Sequence, residues 1–204
     1  VDTTDPILVG VPANATVECS DIPTAAMVTA TDHCDEDVDV DYNQSIVEGD
    51  DCTYYIHRTW TATDECDNSV SATQILTVTD TIDPILVGVP ANATVECSNI
   101  PSPAVVTATD NCDENMQVGY AEQFVPGDSC TYTLIRYWTV YDDCGNMASA
   151  SQTLIVTDTT NPTLNNVPEH ITVECDAIPA PAAVTGSDNC DDQVEVTMVE
   201  VTSD

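Results

Sequence analysis

The sequence repeats itself with a period of 78 residues, and that constrains its fold more than anything else in it. Pro6–Ser20 returns unchanged at Pro84–Ser98 and, loosened, from Pro162, and residues 6–83 and 84–161 share 48 of 78 positions without a gap. Cys19, Cys97 and Cys175 keep this spacing, as do Cys34, Cys112 and Cys190, and Trp60 and Trp138. A chain that copies one small unit end to end makes contacts mainly between neighbours, and this favours reach over a single large core.

Within a repeat, helical periodicity is absent. Short runs rich in Val, Ile, Thr and Tyr alternate with Pro, Gly, Asn and Asp clusters about every ten residues, the pattern of an all-β sandwich. The first repeat predicts strands near 7–11, 14–18, 25–31, 38–47, 53–63 and 70–79. Alternation through Tyr54, Ile56, Arg58, Trp60 and Ala62 sets these residues on one face of the longest strand. The expected architecture is a row of tandem immunoglobulin-like β-sandwich domains. Residues 1–80 form the first, 81–158 the second and 159–204 a partial third, completed by further chain or by another subunit through β-strand addition. The linker Thr79-Asp80-Thr81-Ile82-Asp83-Pro84 lacks Gly and Ser, so stiffness is expected.

Charge narrows the partners. Against 36 acidic residues stand two basic ones, for a formal net charge of -34. Such a chain repels nucleic acid and anionic membrane surfaces and attracts hard divalent cations. Apolar runs are only strand-length, so no membrane insertion is expected. Ten cysteines at repeated positions suit an oxidising, extracellular compartment. There is no CxxC, and His33, His57 and His170 occupy unrelated repeat positions, which argues against zinc. The chain has no Lys and no recurring His, Ser or Cys constellation with acid–base partners, so no enzyme is expected.

The phrases VTATDHCD and WTATDECDN, with VTDTIDP at the boundary, resemble the HYR-like immunoglobulin-type repeats of bacterial surface proteins, in particular the four-cysteine variety of Bacteroidetes adhesins and filaments. The resemblance covers two full repeats and about 43 residues of a third. It implies a spacer, stalk or adhesive filament outside a cell. The first DxCGN turn departs from the family pattern, with Asp67 where the second copy has Gly145.

On an immunoglobulin-type scheme, the end of the third strand, the start of the long strand and the end of the last strand share one pole. Asp32 and Asp35 then meet Asp80 and Asp83, facing Asp142, Asp143 and Asn146 in a loop of the next module. Carboxylates that close repel unless a cation joins them, and Ca²⁺ accepts such a mixed oxygen cage. The expectation is a Ca²⁺ site at each junction. The first uses Asp32, Asp35, Asp80 and Asp83, with Asp142 or Asp143 as a further donor. The second uses Asp110, Asp113, Asp158 and Asn161. Asp2 and Asp5 with Asp64 and Asp67 form half of a third site, and Asp188 and Asp191 are the corresponding pair of the last repeat. Turn chemistry alone is the competing explanation for these acids.

The same scheme favours disulfides Cys34–Cys52 and Cys19–Cys66, with Cys112–Cys130 and Cys97–Cys144 in the second repeat. A Cys19–Cys34 bond would span a strand of roughly 23 Å. The third repeat argues the other way, since Cys175 and Cys190 would pair with each other. Arg58 and Arg136, each two residues before a Trp on the same face, read as structural partners of the core rather than as an anion or glycan site. Asn14, Asn43 and Asn92 open N-glycosylation acceptor triplets. Asp-Thr-Thr and Asp-Thr-Ile resemble the Bacteroidetes O-glycosylation signal and imply sugars on Thr3, Thr81 and Thr159.

Together these observations predict an extracellular structural protein, a Ca²⁺-rigidified and disulfide-stabilised stalk or filament on a bacterial cell surface. Its partners would be copies of itself along a fibre or a longer parent chain. The alternative is an adhesin or carbohydrate-binding module recognising surface glycans. Aromatics expected on the surface move between copies (Tyr55 becomes Thr133, Thr59 and Thr63 become Tyr137 and Tyr141), which favours the spacer.

Overall fold

A computed structural model describes residues 2–50, 52–128, 130–174 and 176–199. The described residues are almost entirely strand, turn and extended chain, as the alternation predicted. They gather into two compact units. The first comprises Val1–Gly88, Val106–Gly119 and Trp138–Ala150, and the second Val89–Val105, Tyr120–Tyr137 and Ser151–Asp204.

In the first unit the opening repeat supplies β1 (Ile7–Val9), β2 (Ala15–Glu18), β3 (Thr29–Thr31), β4 (Asp39–Glu48), β5 (Thr53–Thr63) and β6 (Ser69–Thr79). A four-stranded sheet runs β2-β6-β5-β4, and β1 pairs only with β3. Both short strands contact the larger sheet, β1 through β6 and β3 through β4, closing a sandwich. Every second residue of β5 is buried from Ile56 to Ala62, and Ile56 packs with Leu76 and Val78 of β6 in the core. On the other face, hydroxyl pairs Thr59–Thr73 (2.9 Å) and Thr61–Ser71 (2.8 Å) link the strands in water's place. The unit also contains β7 (Ile85–Val87) and β9 (Thr107–Thr109), which repeat the β1–β3 pairing.

The second unit carries β8 (Ala93–Glu96), most of β10 (Gly119–Pro126), parts of β11 (Thr131–Tyr141) and β12 (Met147–Thr157), and the short pair β13 (Thr163–Asn165) and β14 (Thr185–Ser187). Its sheet order β10-β11-β12-β8 repeats β4-β5-β6-β2. In the third repeat, Leu164, Val167, Ile171 and Val173 stay exposed.

One pairing departs from the expected scheme. β2 is parallel to β6, with Ala15 opposite Leu76 and Glu18 opposite Thr79. The chain therefore does not turn back between β1 and β2, and both advance toward the trailing pole where β6 ends. It reverses in β3, which runs antiparallel to β1 and ends with Thr31 opposite Ile7, at the leading pole. Asn14 makes this switch possible: its Oδ1 accepts the Ile75 N–H at 2.8 Å while Gln74 Nε2 donates to the Ala13 carbonyl at 2.9 Å. Asn92 and Gln152 repeat both bonds. The recurring Asn of the N-glycosylation triplets thus has a backbone-bonding role in the fold.

Candidate functional site

The reversal in β3 redistributes the acids. Asp32 follows Thr31 and so lies beside the incoming linker, where its oxygen comes within 4.8 Å of Asp2 and of the Cys34 sulfur. Asp35 stays there too, its Oδ2 accepting the Glu65 N–H (3.2 Å) from the β5–β6 turn. Asp80 follows Thr79, which pairs with Thr53 at the other end of β5. An eleven-residue strand, roughly 36 Å, separates the two ends. Asp32 and Asp35 therefore do not join Asp80 and Asp83, and the expected first cage is not assembled.

Asp80 instead meets the next repeat. Its carboxylate lies within 4.8 Å of Asp142 and the Cys144 sulfur, and of Glu18 and Cys112. Asn146 Nδ2 donates to the Asp80 carbonyl (3.4 Å), and the Met147 N–H donates to Asp83 Oδ1 (3.2 Å). Asp113 Oδ2 accepts the Asp143 N–H at 3.3 Å. Asp142 and Asn146 thus lie beside the linker residue Asp80, while Asp143 bonds Asp113 rather than a linker acid. Asp110 and Asp113 accordingly do not join Asp158 and Asn161. In the second unit Asp158 lies within 4.8 Å of Asp188 and Cys190, and the Asp191 N–H binds Asp188 Oδ1 (3.2 Å). At the leading edge, Asp64 is buried and holds the turn, its oxygens accepting the Cys66 and Asn68 N–H groups and Asn68 Nδ2. Asp67 occupies the left-handed region at φ 68°, as Gly145 does at φ 85°.

The electrostatics at the first junction are those of crowded like charges. Burial, then Asp110, Asp142 and Glu18, push the Asp80 carboxyl above its ordinary value, opposed by the Ile82 N–H bond. Burial, then the neighbouring Cys52 and the carboxylates of Asp80 and Asp142, push the Cys144 thiol up to about 12. Asp110 Oδ1 accepts the Cys112 and Asp113 N–H groups, while its Oδ2 is buried without a partner. Asp188 shows the same pattern, with Oδ1 bonded to Cys190 and Asp191 and Oδ2 buried and unpartnered. A buried carboxylate oxygen without a donor is costly, and a cation would satisfy it. The sequence reading missed Glu18 and Glu96, although each precedes a repeated cysteine. Glu18 accepts the Thr81 N–H and hydroxyl, and Glu96 those of Thr159. Thr3, Thr81 and Thr159 are all exposed, but the hydroxyls of the last two are engaged as donors.

Cysteines follow the poles. Cys19 lies at the trailing end of β2 and bonds Cys112, and Cys97 bonds Cys190, with Cα–Cα distances of 5.9 and 5.8 Å. Cys19–Cys66, Cys34–Cys52 and Cys97–Cys144 are not formed, nor is Cys112–Cys130 since Cys112 is taken. Each expected pair links opposite ends of a repeat, a span far beyond the reach of a disulfide. Cys175 lies outside the described residues, and its expected partner Cys190 is bonded to Cys97. Beside Cys19–Cys112 opens a recess of about 480 Å³ lined by Cys52, Cys144, Asp80 and Asp113. In the second unit the equivalent recess, about 620 Å³, holds Cys97, Cys190, Cys130, Asp158 and Asp191.

Both arginines are structural. Arg58 is buried, donating from Nε to Gln44 Oε1 (3.0 Å) and from Nη2 to the Pro23 carbonyl (2.6 Å). Arg136 makes the same carbonyl bond to Pro101 (2.7 Å) and an ion pair with Glu122 (2.8 Å).

Known structures similar to this chain are multi-repeat ectodomains. Drosophila N-cadherin EC1-4 is 14% identical with a TM-score of 0.32, the match covering 80% of this chain and 53% of that one. Mouse cadherin-23 EC22-24 is 15% identical (TM-score 0.31, covering 78% and 69%). Human mucin-like protocadherin EC1-2 is 11% identical (TM-score 0.31, covering 76% and 98%). This chain thus spans about half the length of the N-cadherin fragment. No curated protein matches the sequence. Residues 85–156, essentially the second repeat with its four cysteines, match the family described as the HYR-like domain with 4 cysteines.

Proposed function

We propose that this chain is part of an extracellular stalk or filament on a bacterial surface, in which Ca²⁺ and disulfides lock successive sandwich modules. The observation that carries the reading is the recurrence at each linker of one constellation. Asp158 lies within 4.8 Å of Asp188, and Asp80 feels the charge of Asp110, the aspartate after the next module's short strand; the outer oxygens of Asp110 and Asp188 are buried and unpartnered. Acidic oxygen donors with no imidazole suit a hard cation, and Ca²⁺ takes six to eight such ligands. At the first junction Asp80, Asp110 and Asp142 would hold the ion, with the Glu18 carboxylate beside them. At the second, Asp158 and Asp188 would do so. The leading edge repeats the theme with Asp2 and Asp32.

Bound Ca²⁺ would neutralise a charge cluster that otherwise drives the linker groups apart, so stiffness becomes metal-dependent. The chain's own acidity would keep such a fibre soluble and unattractive to nucleic acid. Calorimetric titration of the metal-free chain tests the reading. Binding with a dissociation constant below the millimolar range is expected, together with a rise in melting temperature. The absence of heat and of any melting shift up to millimolar Ca²⁺ would remove it. Small-angle scattering with and without chelator tests rigidity separately: a longer, narrower distance distribution is expected with Ca²⁺.

A further inference from the structure

The disulfides in place follow a rule that extends to two other cysteines. Cys19–Cys112 and Cys97–Cys190 each join a cysteine to the one 93 positions later, the trailing end of one repeat to the leading end of the next. Cys52 also stands at a trailing end, just before β5, whose first residue Thr53 pairs with Thr79 at the close of β6. Cys144 stands in the β11–β12 turn of the following repeat, 92 positions on. The two thiols are half-buried neighbours within the first unit. Cys52 Sγ lies 3.4 Å from the carbonyl oxygen of Asp143, adjacent in sequence to Cys144. Both line the recess beside Cys19–Cys112.

We propose that Cys52 and Cys144 form a second inter-repeat disulfide, so that the junction between the first two repeats carries a pair of covalent staples. One bridge alone permits rotation about itself, whereas two bridges anchored at different strand ends resist both bending and twisting of the linker. The chemistry is thiol–disulfide exchange with a small-molecule disulfide such as glutathione disulfide. The thiolate of one cysteine attacks a glutathione sulfur, releasing one reduced glutathione and leaving a mixed disulfide. The second thiolate then displaces the remaining glutathione. Two protein thiols lose two protons and two electrons, and one glutathione disulfide becomes two glutathiones.

The test is a disulfide map of the full chain equilibrated in a glutathione redox buffer, with residual thiols blocked by N-ethylmaleimide at low pH. Digestion at acidic residues without reduction, followed by mass spectrometry, should yield a peptide pair joined through Cys52 and Cys144, beside the Cys19–Cys112 pair. Recovery of Cys52 joined to Cys34, or of both Cys52 and Cys144 carrying maleimide, would overturn the proposal. In Cys144→Ser, Cys52 should become the one newly maleimide-reactive cysteine while Cys19–Cys112 persists. A Cys52 that stays unreactive in that variant would equally count against it.

Discussion

At the residue scale, small differences between the repeats act as natural experiments. Gln44 and Glu122 occupy the same position, and each accepts the Nε of a buried arginine, yet only Glu122 brings a charge. That arginine bond and the Tyr120 hydroxyl hold the Glu122 carboxyl below its ordinary value. Its contribution to stability is therefore present above the unfolded carboxylate range and lost as pH falls through the lowered folded value. Gln44→Glu should transplant the ion pair and stabilise the chain by about 1 kcal/mol at pH 7, read as a higher denaturation midpoint whose advantage fades in acid. Asp67 provides a second case. It adopts φ 68° where its counterpart is glycine, with the same closing bond to the aspartate three residues earlier (3.2 Å). Asp67→Gly should relieve that conformation and raise stability by about 0.5–1 kcal/mol in the same assay.

At the scale of elements, strand positions follow from alternation, but strand direction depends on one short connection. The expected 53–63 and 70–79 correspond closely to β5 and β6, because eleven-residue strands with one buried face carry an unmistakable period of two. The expected 25–31 is strand only over Thr29–Thr31. The direction of β2 was not legible: Pro12-Ala13-Asn14 reads equally well as a reversing turn or as a sidestep into a parallel ladder. Asn14 decides it by capping the β6 edge. Asn14→Ala should cost about 1 kcal/mol by leaving the Ile75 N–H without its partner. The same loss is expected of Asn92→Ala at Thr153, and thermal denaturation of unglycosylated protein reads both.

For the whole molecule, charge sets the behaviour. Burial, reinforced by the nearby carboxylates, raises the Asp80 carboxyl, so this group binds a proton more tightly folded than unfolded. Its effect on metal-free stability is unfavourable at neutral pH, and the penalty disappears as pH falls from the raised value to the unfolded value near 3.8. Asp80→Asn should therefore raise the melting temperature of the metal-free chain at pH 7, with the gain vanishing in acid. In Ca²⁺ the sign should reverse, because the variant loses a ligand and binds about tenfold or more weakly by calorimetry. Asp110→Asn should weaken Ca²⁺ to a similar degree.

The sequence by itself determined the repeat, the all-β character, the strand positions, the buried face of Trp60 and the concentration of acid at the linkers. These depend on periods and compositions that local physics imposes on any chain of this kind. Only the tertiary structure decided which acids and which cysteines share a pole. That assignment depends on the parity of strand direction, and a single parallel pairing of β2 with β6 inverts it for Asp32, Asp35, Cys19 and Cys34 together. Bonds expected inside a repeat thereby become bonds between repeats, and a string of separate modules becomes one covalently linked chain of sandwiches.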